Sequence, residues 1–303
     1  MFAALPVLLP TLLCALVSAG VVSHVDLAKR ATCGSTVGII PLPIHSHNDY
    51  TRNVALCDAL ANSASSVEAD VWWKDNKLYV AHTEGEIDTS RTLASLYVQP
   101  LLSMLNAQNP GGVKPGVKPK GLFVSSPSTT LQLLIEFKTD GASTFQPVVN
   151  ALKPLADAGY LSSFSNGVFT ESAITVVGTG KTPFNLVKAQ SPRTIFIDAP
   201  LHLLASSPQY TSDVAPLAST DFGANVDWEG IFSISSEERA KIKLWVGQAH
   251  ARGIKARFYG TPDWLSAVMK NVWGELLDDG EDWLNVDHLT TARDYYIDWK
   301  AGQ

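Results

Sequence analysis

Short, nearly continuous apolar runs recur along this chain, each separated from the next by a stretch with helical spacing. That alternation narrows the possible folds more than any other feature of the sequence. The runs fall at 39–45 (IIPLPIH), 67–72 (VEADVW), 131–137 (LQLLIEF), 174–177 (ITVV), 194–198 (TIFID), 231–235 (IFSIS), 255–259 (KARFY) and 283–287 (WLNVD). Each is short and rich in β-branched or aromatic side chains, as expected of strands buried on both faces. Candidate helices lie between them at 54–63, 90–106, 145–158, 182–189, 237–252 and 264–278. Gly159, Gly253 and Gly280 each follow a helix and precede a strand, where a left-handed C-cap belongs. The pattern predicts an α/β fold, a (β/α)8 TIM barrel. An open doubly wound sheet is the rival, but no Gly-x-Gly-x-x-Gly follows the first run and no break divides the chain into halves. Two departures from a plain barrel are expected: an extra short strand at 77–82 with Asp75-Asn76 as its turn, and a Gly/Pro/Lys/Ser-rich loop at 109–127.

The N-terminus follows a different pattern. Residues 2–19 form an uncharged apolar run that contains two prolines and ends in small residues, Ser18-Ala19-Gly20. This predicts a secretory signal peptide over 1–20 rather than a membrane anchor. The dibasic pair Lys29-Arg30 would close a pro-segment at 21–30, leaving 31–303 as one catalytic barrel domain. Cys14 leaves with the signal, so Cys33 and Cys57 remain, and in an oxidising compartment an even count predicts one disulfide. The alternative is a pair of buried thiols. Charged residues make up only 17% of the chain and its net charge is −6, which argues against a protein that wraps nucleic acid. No second apolar run is long enough to span a membrane. The expectation is a secreted, extracellular monomer without a transmembrane anchor.

Active sites of such barrels sit where strands end and loops begin, and polar groups gather there. Run one ends in His45-Ser46-His47-Asn48-Asp49-Tyr50, run two carries Glu68 and Asp70, and the extra strand ends at His82. Run three ends in Glu136 and Lys138, run five at Asp198, run seven carries Arg257, and run eight ends at Asp287. Glu68 and Asp70, two residues apart on a strand, share a face. With Val67, Ala69 and Val71 on the other face, that face is the barrel interior. Two interior carboxylates need a cation or basic partners, and Glu136 can supply a third. Three carboxylates without thiols suit a hard divalent cation, Mg2+ or Ca2+; a structural ion-pair network with Lys138 and Arg257 is the alternative. His45, His47 and His82 suit general acid and base work, although His45 and His47 share a face and can also read as zinc ligands. Lys138 and Arg257 would neutralise phosphate oxygens. Trp72, Trp73, Tyr50, Tyr259, Trp264 and Trp273 are candidates to line a head-group pocket. His202 has no assignment.

His47-Asn48-Asp49, Glu68-Ala69-Asp70-Val71, His82 and Glu136-Phe137-Lys138, taken in order, resemble the PLC-like phosphodiesterase superfamily, and the glycerophosphodiester phosphodiesterases in particular. The longer strings HSHNDY, VEADVW and RTLASLY look most like the altered inheritance of mitochondria protein 6 group, as do the segments at 257–263 and 285–287. The resemblance implies His47 and His82 as the acid–base pair, with His45 able to take the role of His47. It implies Glu68, Asp70 and Glu136 as ligands of a divalent cation, and Lys138 as a phosphate contact. Asn48 stands where those diesterases carry a phosphate-binding Arg. Asn48, Arg257 and Trp273 join Lys138 as expected substrate contacts.

These readings lead to a secreted metal-dependent phosphodiesterase, a phosphoric diester hydrolase. Its substrate would be a small-molecule or lipid phosphodiester, glycerophosphodiester or phospholipid-like, cleaved by two-histidine acid–base catalysis. A lipid substrate would bring transient contact with a membrane surface. Three alternatives stand beside it: a non-catalytic barrel binding a phosphorylated ligand or partner, a sphingomyelinase D-like phospholipase giving a cyclic phosphate, and a glycosidase using Glu68 and Glu136.

Overall fold

The computed structural model describes residues 33–303; the apolar run at 2–19, the signal peptide expected over 1–20 and the segment ending in Lys29-Arg30 lie outside the described residues. In the described body the strands are β1 (Leu42–Ser46), β2 (Ala64–Lys74), β3 (Lys77–Val80), β4 (Leu131–Phe137), β5 (Ser163–Ser165) and β6 (Val168–Thr170). They continue with β7 (Ile174–Gly180), β8 (Ile195–Pro200), β9 (Leu217–Asp221), β10 (Lys255–Tyr259) and β11 (Leu284–Val286). Parallel pairing runs in the order β10-β9-β8-β7-β4-β2-β1-β11, so the first and last strands are neighbours. The ring closes between β10 and the start of β11: the amides of Asp282 and Trp283 donate to Ala256 O, and Ala256 N donates to the Asp282 carboxylate. Helices fill the intervals, giving the TIM barrel that the alternation predicts.

The barrel interior is divided by chemistry. Leu134, Val177, Phe196, Leu217 and Trp283 form a dry plug inside the strands, separate from the main core. The small antiparallel hairpin β5–β6 caps it, with Phe164 packed on the plug and Phe169 edge-on to Phe196 at 5.5 Å. Toward the C-terminal ends, period-2 alternation places Glu68, Asp70, Glu136, Asp198, Ser219 and Arg257 on the same inner face. The main core lies outside, between strands and helices.

Two expectations are corrected. Residues 231–235 are not a strand: Ile231 is 44% and Phe232 88% exposed, on a loop. The sixth barrel strand is instead Leu217–Asp221 (LASTD). Its inner residues Ser219 and Asp221 line the polar end of the barrel, so it carries no apolar run for a sequence reading to find. Trp273 is not a pocket residue. It lies on helix Ser266–Asp278, where Met269, Val272, Trp273 and Leu276 make one inward stripe, and is 2% exposed against Tyr295. The extra strand is present as β3, antiparallel to β2, and Asp75 and Asn76 turn the chain with φ of 49° and 58°. The terminal helix Leu289–Ala301 lies beyond the last helix that the sequence predicts. Cys33 and Cys57 are joined by a disulfide. No helix among the described residues is long and apolar enough to cross a membrane.

Candidate active site

A cavity of about 500 Å³ opens at the C-terminal ends of the strands, and His47, Asn48, Glu68, His82, Glu136 and Arg257 are among the residues that line it. Thr179, Asp198, His202, Tyr210, Asp221 and Tyr259 line it as well. The marked residues among these therefore converge, joined by Asp70 and Lys138 through the carboxylate cluster, whereas His45, Trp72, Trp73, Trp264 and Trp273 do not line the cavity.

His45 is fully buried beneath the cavity. Its Nδ1 lies 2.6 Å from Ser66 Oγ, which also accepts from Gln132 Nε2 at 2.8 Å. Its Nε2 faces Glu68 Oε2 at 3.7 Å, beyond hydrogen-bond range, and has no hydrogen-bond partner among the described residues. Burial and the Arg257 charge push its pKa down to about 4. A neutral ring without solvent access cannot exchange protons with substrate, which corrects the expectation that His45 can act as the catalytic histidine.

His47 reaches the cavity. Its Nδ1 donates to Asp287, 3.0 Å from Oδ1 and 3.2 Å from Oδ2, leaving Nε2 on the cavity side 3.9 Å from Glu68 Oε2. Burial opposes ionisation of this ring, but Asp287 and Glu68 hold its pKa above 6.5. The sequence marks Asp287 only as a strand end; a carboxylate at the end of β11, beside β1, is the available signal. His82, on the loop after β3, is more exposed, and its Nδ1 meets the hydroxyl of Tyr50 at 3.2 Å.

The carboxylates sit as the i, i+2 argument requires. One oxygen from each of Glu68, Asp70 and Glu136 falls within 4.8 Å of the others. Gly180, at φ +61°, makes room for this cluster, because a Cβ there would stand 2.6 Å from Glu136 Cγ. Lys138 Nζ bridges Asp70 Oδ2 at 2.9 Å and Glu136 Oε1 at 2.8 Å. Burial, together with Glu68 and Glu136, pushes the Asp70 pKa upward, and Asp70 Oδ1 is buried without a hydrogen-bond partner among the described residues. Crowded carboxylates with an orphaned oxygen, and no thiol among them, fit a hard divalent cation.

Asn48 adopts a left-handed backbone, φ 47°, which Asn tolerates better than most residues. Its N–H thereby donates to Glu68 Oε2 at 2.9 Å, so its backbone serves the carboxylate cluster. The cationic floor comes from across the barrel. Arg257, 2% exposed, is pinned by Ser219 Oγ at 2.9 Å and Asn285 Oδ1 at 2.9 Å, with Asp198 Oδ2 at 3.6 Å. Of the remaining aromatic candidates, Tyr259 lines the cavity, while Trp72 donates to Ala81 O, and Trp73 packs against the core. Trp264 is 59% exposed and is not part of the cavity wall. His202, unassigned in the sequence, lines the cavity and pairs with Thr220 Oγ1 at 2.9 Å.

A family model described as an AIM6-like phosphodiesterase domain matches residues 34–198. The chain is 35% identical over 272 residues to an altered inheritance of mitochondria protein 6 homolog of Arthroderma benhamiae, covering 86% of each chain. It is 36% identical over 262 residues to altered inheritance of mitochondria protein 6 of Eremothecium gossypii, covering 81% of this chain and 67% of that one. The Saccharomyces cerevisiae protein of the same name is 34% identical over 277 residues, with 83% and 70% covered. Among solved structures, a glycerophosphodiester phosphodiesterase from Parabacteroides distasonis superposes with a TM-score of 0.47 at 10% identity, over 85% of this chain and 97% of that one. By family model and by relatives matched over most of its length, the chain belongs to the AIM6-like phosphodiesterase domain family.

Proposed function

We propose that this protein is a metal-dependent phosphoric diester hydrolase acting at the barrel mouth. The observation that carries the reading is the convergence of two cavity histidines, each with Nδ1 held by a neighbour, on the carboxylate cluster and the buried Arg257. Glu68, Asp70 and Glu136 would hold Mg2+ or Ca2+, which when bound polarises a phosphoryl oxygen. Arg257 and Lys138 bind the anionic diester, the former as a fixed guanidinium with N–H groups left for oxygen. His47, whose protonated form is favoured by Asp287, gives its Nε2 proton to the leaving alkoxide. His82 takes the proton of the attacking hydroxyl or water at its own Nε2. The cavity takes a small polar diester or the head group of a phospholipid. The Cys33–Cys57 disulfide supports the reading that the protein is secreted.

A non-catalytic reading draws on one observation: Lys138 already neutralises Asp70 and Glu136. Hydrolysis of bis(p-nitrophenyl) phosphate with Mg2+, Ca2+ or EDTA separates the two. Metal-dependent turnover that disappears in His47→Ala and His82→Ala is expected. Absence of turnover with either metal, for this ester and for a panel of glycerophosphodiesters, would favour the binding-only protein.

A further inference from the structure

Tyr50 is 3% exposed, and its hydroxyl sits among three polar atoms: Asn48 Oδ1 at 2.7 Å, Asp70 Oδ2 at 2.8 Å and His82 Nδ1 at 3.2 Å. A phenol has one proton to give and lone pairs with which to accept. Both oxygens compete for that proton, and a carboxylate is the stronger acceptor. With its proton committed to an oxygen, the phenol can only accept from the imidazole, so His82 Nδ1 must bring the hydrogen. Asp70 Oδ2 itself lies 3.6 Å from His82 Nδ1, too far for a direct hydrogen bond. Among the described residues the phenol is therefore the one hydrogen-bonded partner of a ring that is 55% exposed. An imidazole left to water favours the opposite tautomer, with the proton on Nε2.

We propose that Tyr50 is a positioning residue that holds His82 as the Nδ1–H tautomer, leaving the Nε2 lone pair free for the cavity. The same hydroxyl ties the orientation of His82 to Asp70, so base and carboxylate cluster are set by one hydrogen bond each. Tyr50 does not touch the reacting atoms; it acts through His82, as an acceptor behind a histidine commonly fixes which ring nitrogen works. The catalytic half of this inference rests on the diesterase reading, whereas the tautomer does not.

The test is long-range 15N–1H correlation on the purified protein labelled with 15N-histidine, at a pH where His82 is neutral. The wild-type ring is expected to show a protonated Nδ1, and Tyr50→Phe is expected to move the proton to Nε2 while thermal unfolding reports an intact fold. Asp70→Asn keeps the phenol but weakens the acceptor that fixes its proton, and is expected to mix the two tautomers. In turnover, Tyr50→Phe should lower kcat by roughly 10–100-fold with KM little moved, and should cost nothing further in a His82→Ala background. An unchanged His82 tautomer in folded Tyr50→Phe, or an equal loss in the His82→Ala background, would overturn the proposal. Wild-type protein that turns over no diester would refute the diesterase reading, and the tautomer would still decide the role of Tyr50.

Discussion

Lys138 separates a metal centre from a structural ion pair. Its ammonium lies 2.9 Å from Asp70 and 2.8 Å from Glu136, the same carboxylates expected to bind a divalent cation. The two cations compete for the same oxygens. A charge-assisted hydrogen bond nets ~1.5–3 kcal/mol when buried, and the Lys138 side chain is only 17% exposed. Allowing for water at the cavity mouth and for one bond surviving, ion binding costs about 1–2 kcal/mol in displaced lysine contacts. Lys138→Met removes that cost, so the variant should bind Mg2+ or Ca2+ roughly 5–30-fold more tightly than wild type, since 1.4 kcal/mol is about tenfold. Calorimetric titration of EDTA-treated, dialysed protein reads the difference directly. Turnover should nevertheless fall, because the lysine also contacts phosphate in the proposed reaction. Tighter binding with poorer catalysis is not what a damaged site gives. If Lys138 is instead the resident counter-ion, neither protein takes up metal, and the variant loses ~3–5 kcal/mol of stability from unpaired buried carboxylates. That outcome would refute the argument.

Further outcomes follow from other contacts. Asp287→Asn removes an anion that helps hold the His47 pKa above 6.5. As the proposed acid, His47 works while protonated, so the alkaline limb of the rate profile should move to lower pH; a limb that stays in place would remove Asp287 from the mechanism. Reduction of the Cys33–Cys57 disulfide, or Cys33→Ser with Cys57→Ser, releases a loop spanning 24 residues of sequence separation. Chain-entropy reasoning puts the loss at about 3.5 kcal/mol. Urea unfolding with and without reductant measures it, and coincident curves would show that the bond does not matter to the folded body.

Much of the site was legible because strands enforce a two-residue period. Once 67–72 is a strand, Glu68 and Asp70 must share a face, and flanking Val67, Ala69 and Val71 say which face is polar. The same periodicity carries Glu136 and Lys138 to the end of β4. What failed was inference from side-chain type without its packing. Trp273 had the chemistry of a pocket wall, yet helical spacing turns it into the core with Met269 and Val272. The apolar run at 231–235 looked like a strand, while the true sixth strand hides its inner positions as Ser219 and Asp221.

Sequence alone determined the class of fold and the composition of the site, because alternation of apolar runs with helical segments leaves little choice but a parallel barrel. The position of each carboxylate along its strand is likewise a property of the local chain. Tertiary structure decided which histidine can exchange protons. His45 and His47 share a strand face and differ by only two residues, but one stands under Ser66 and Gln132 and the other beside Asp287. It also decided that the fixed cation, Arg257, comes from across the barrel, and that Tyr50 links His82 to Asp70. These are contacts between residues far apart in the chain, and nothing in local spacing encodes a partner that only ring closure brings near.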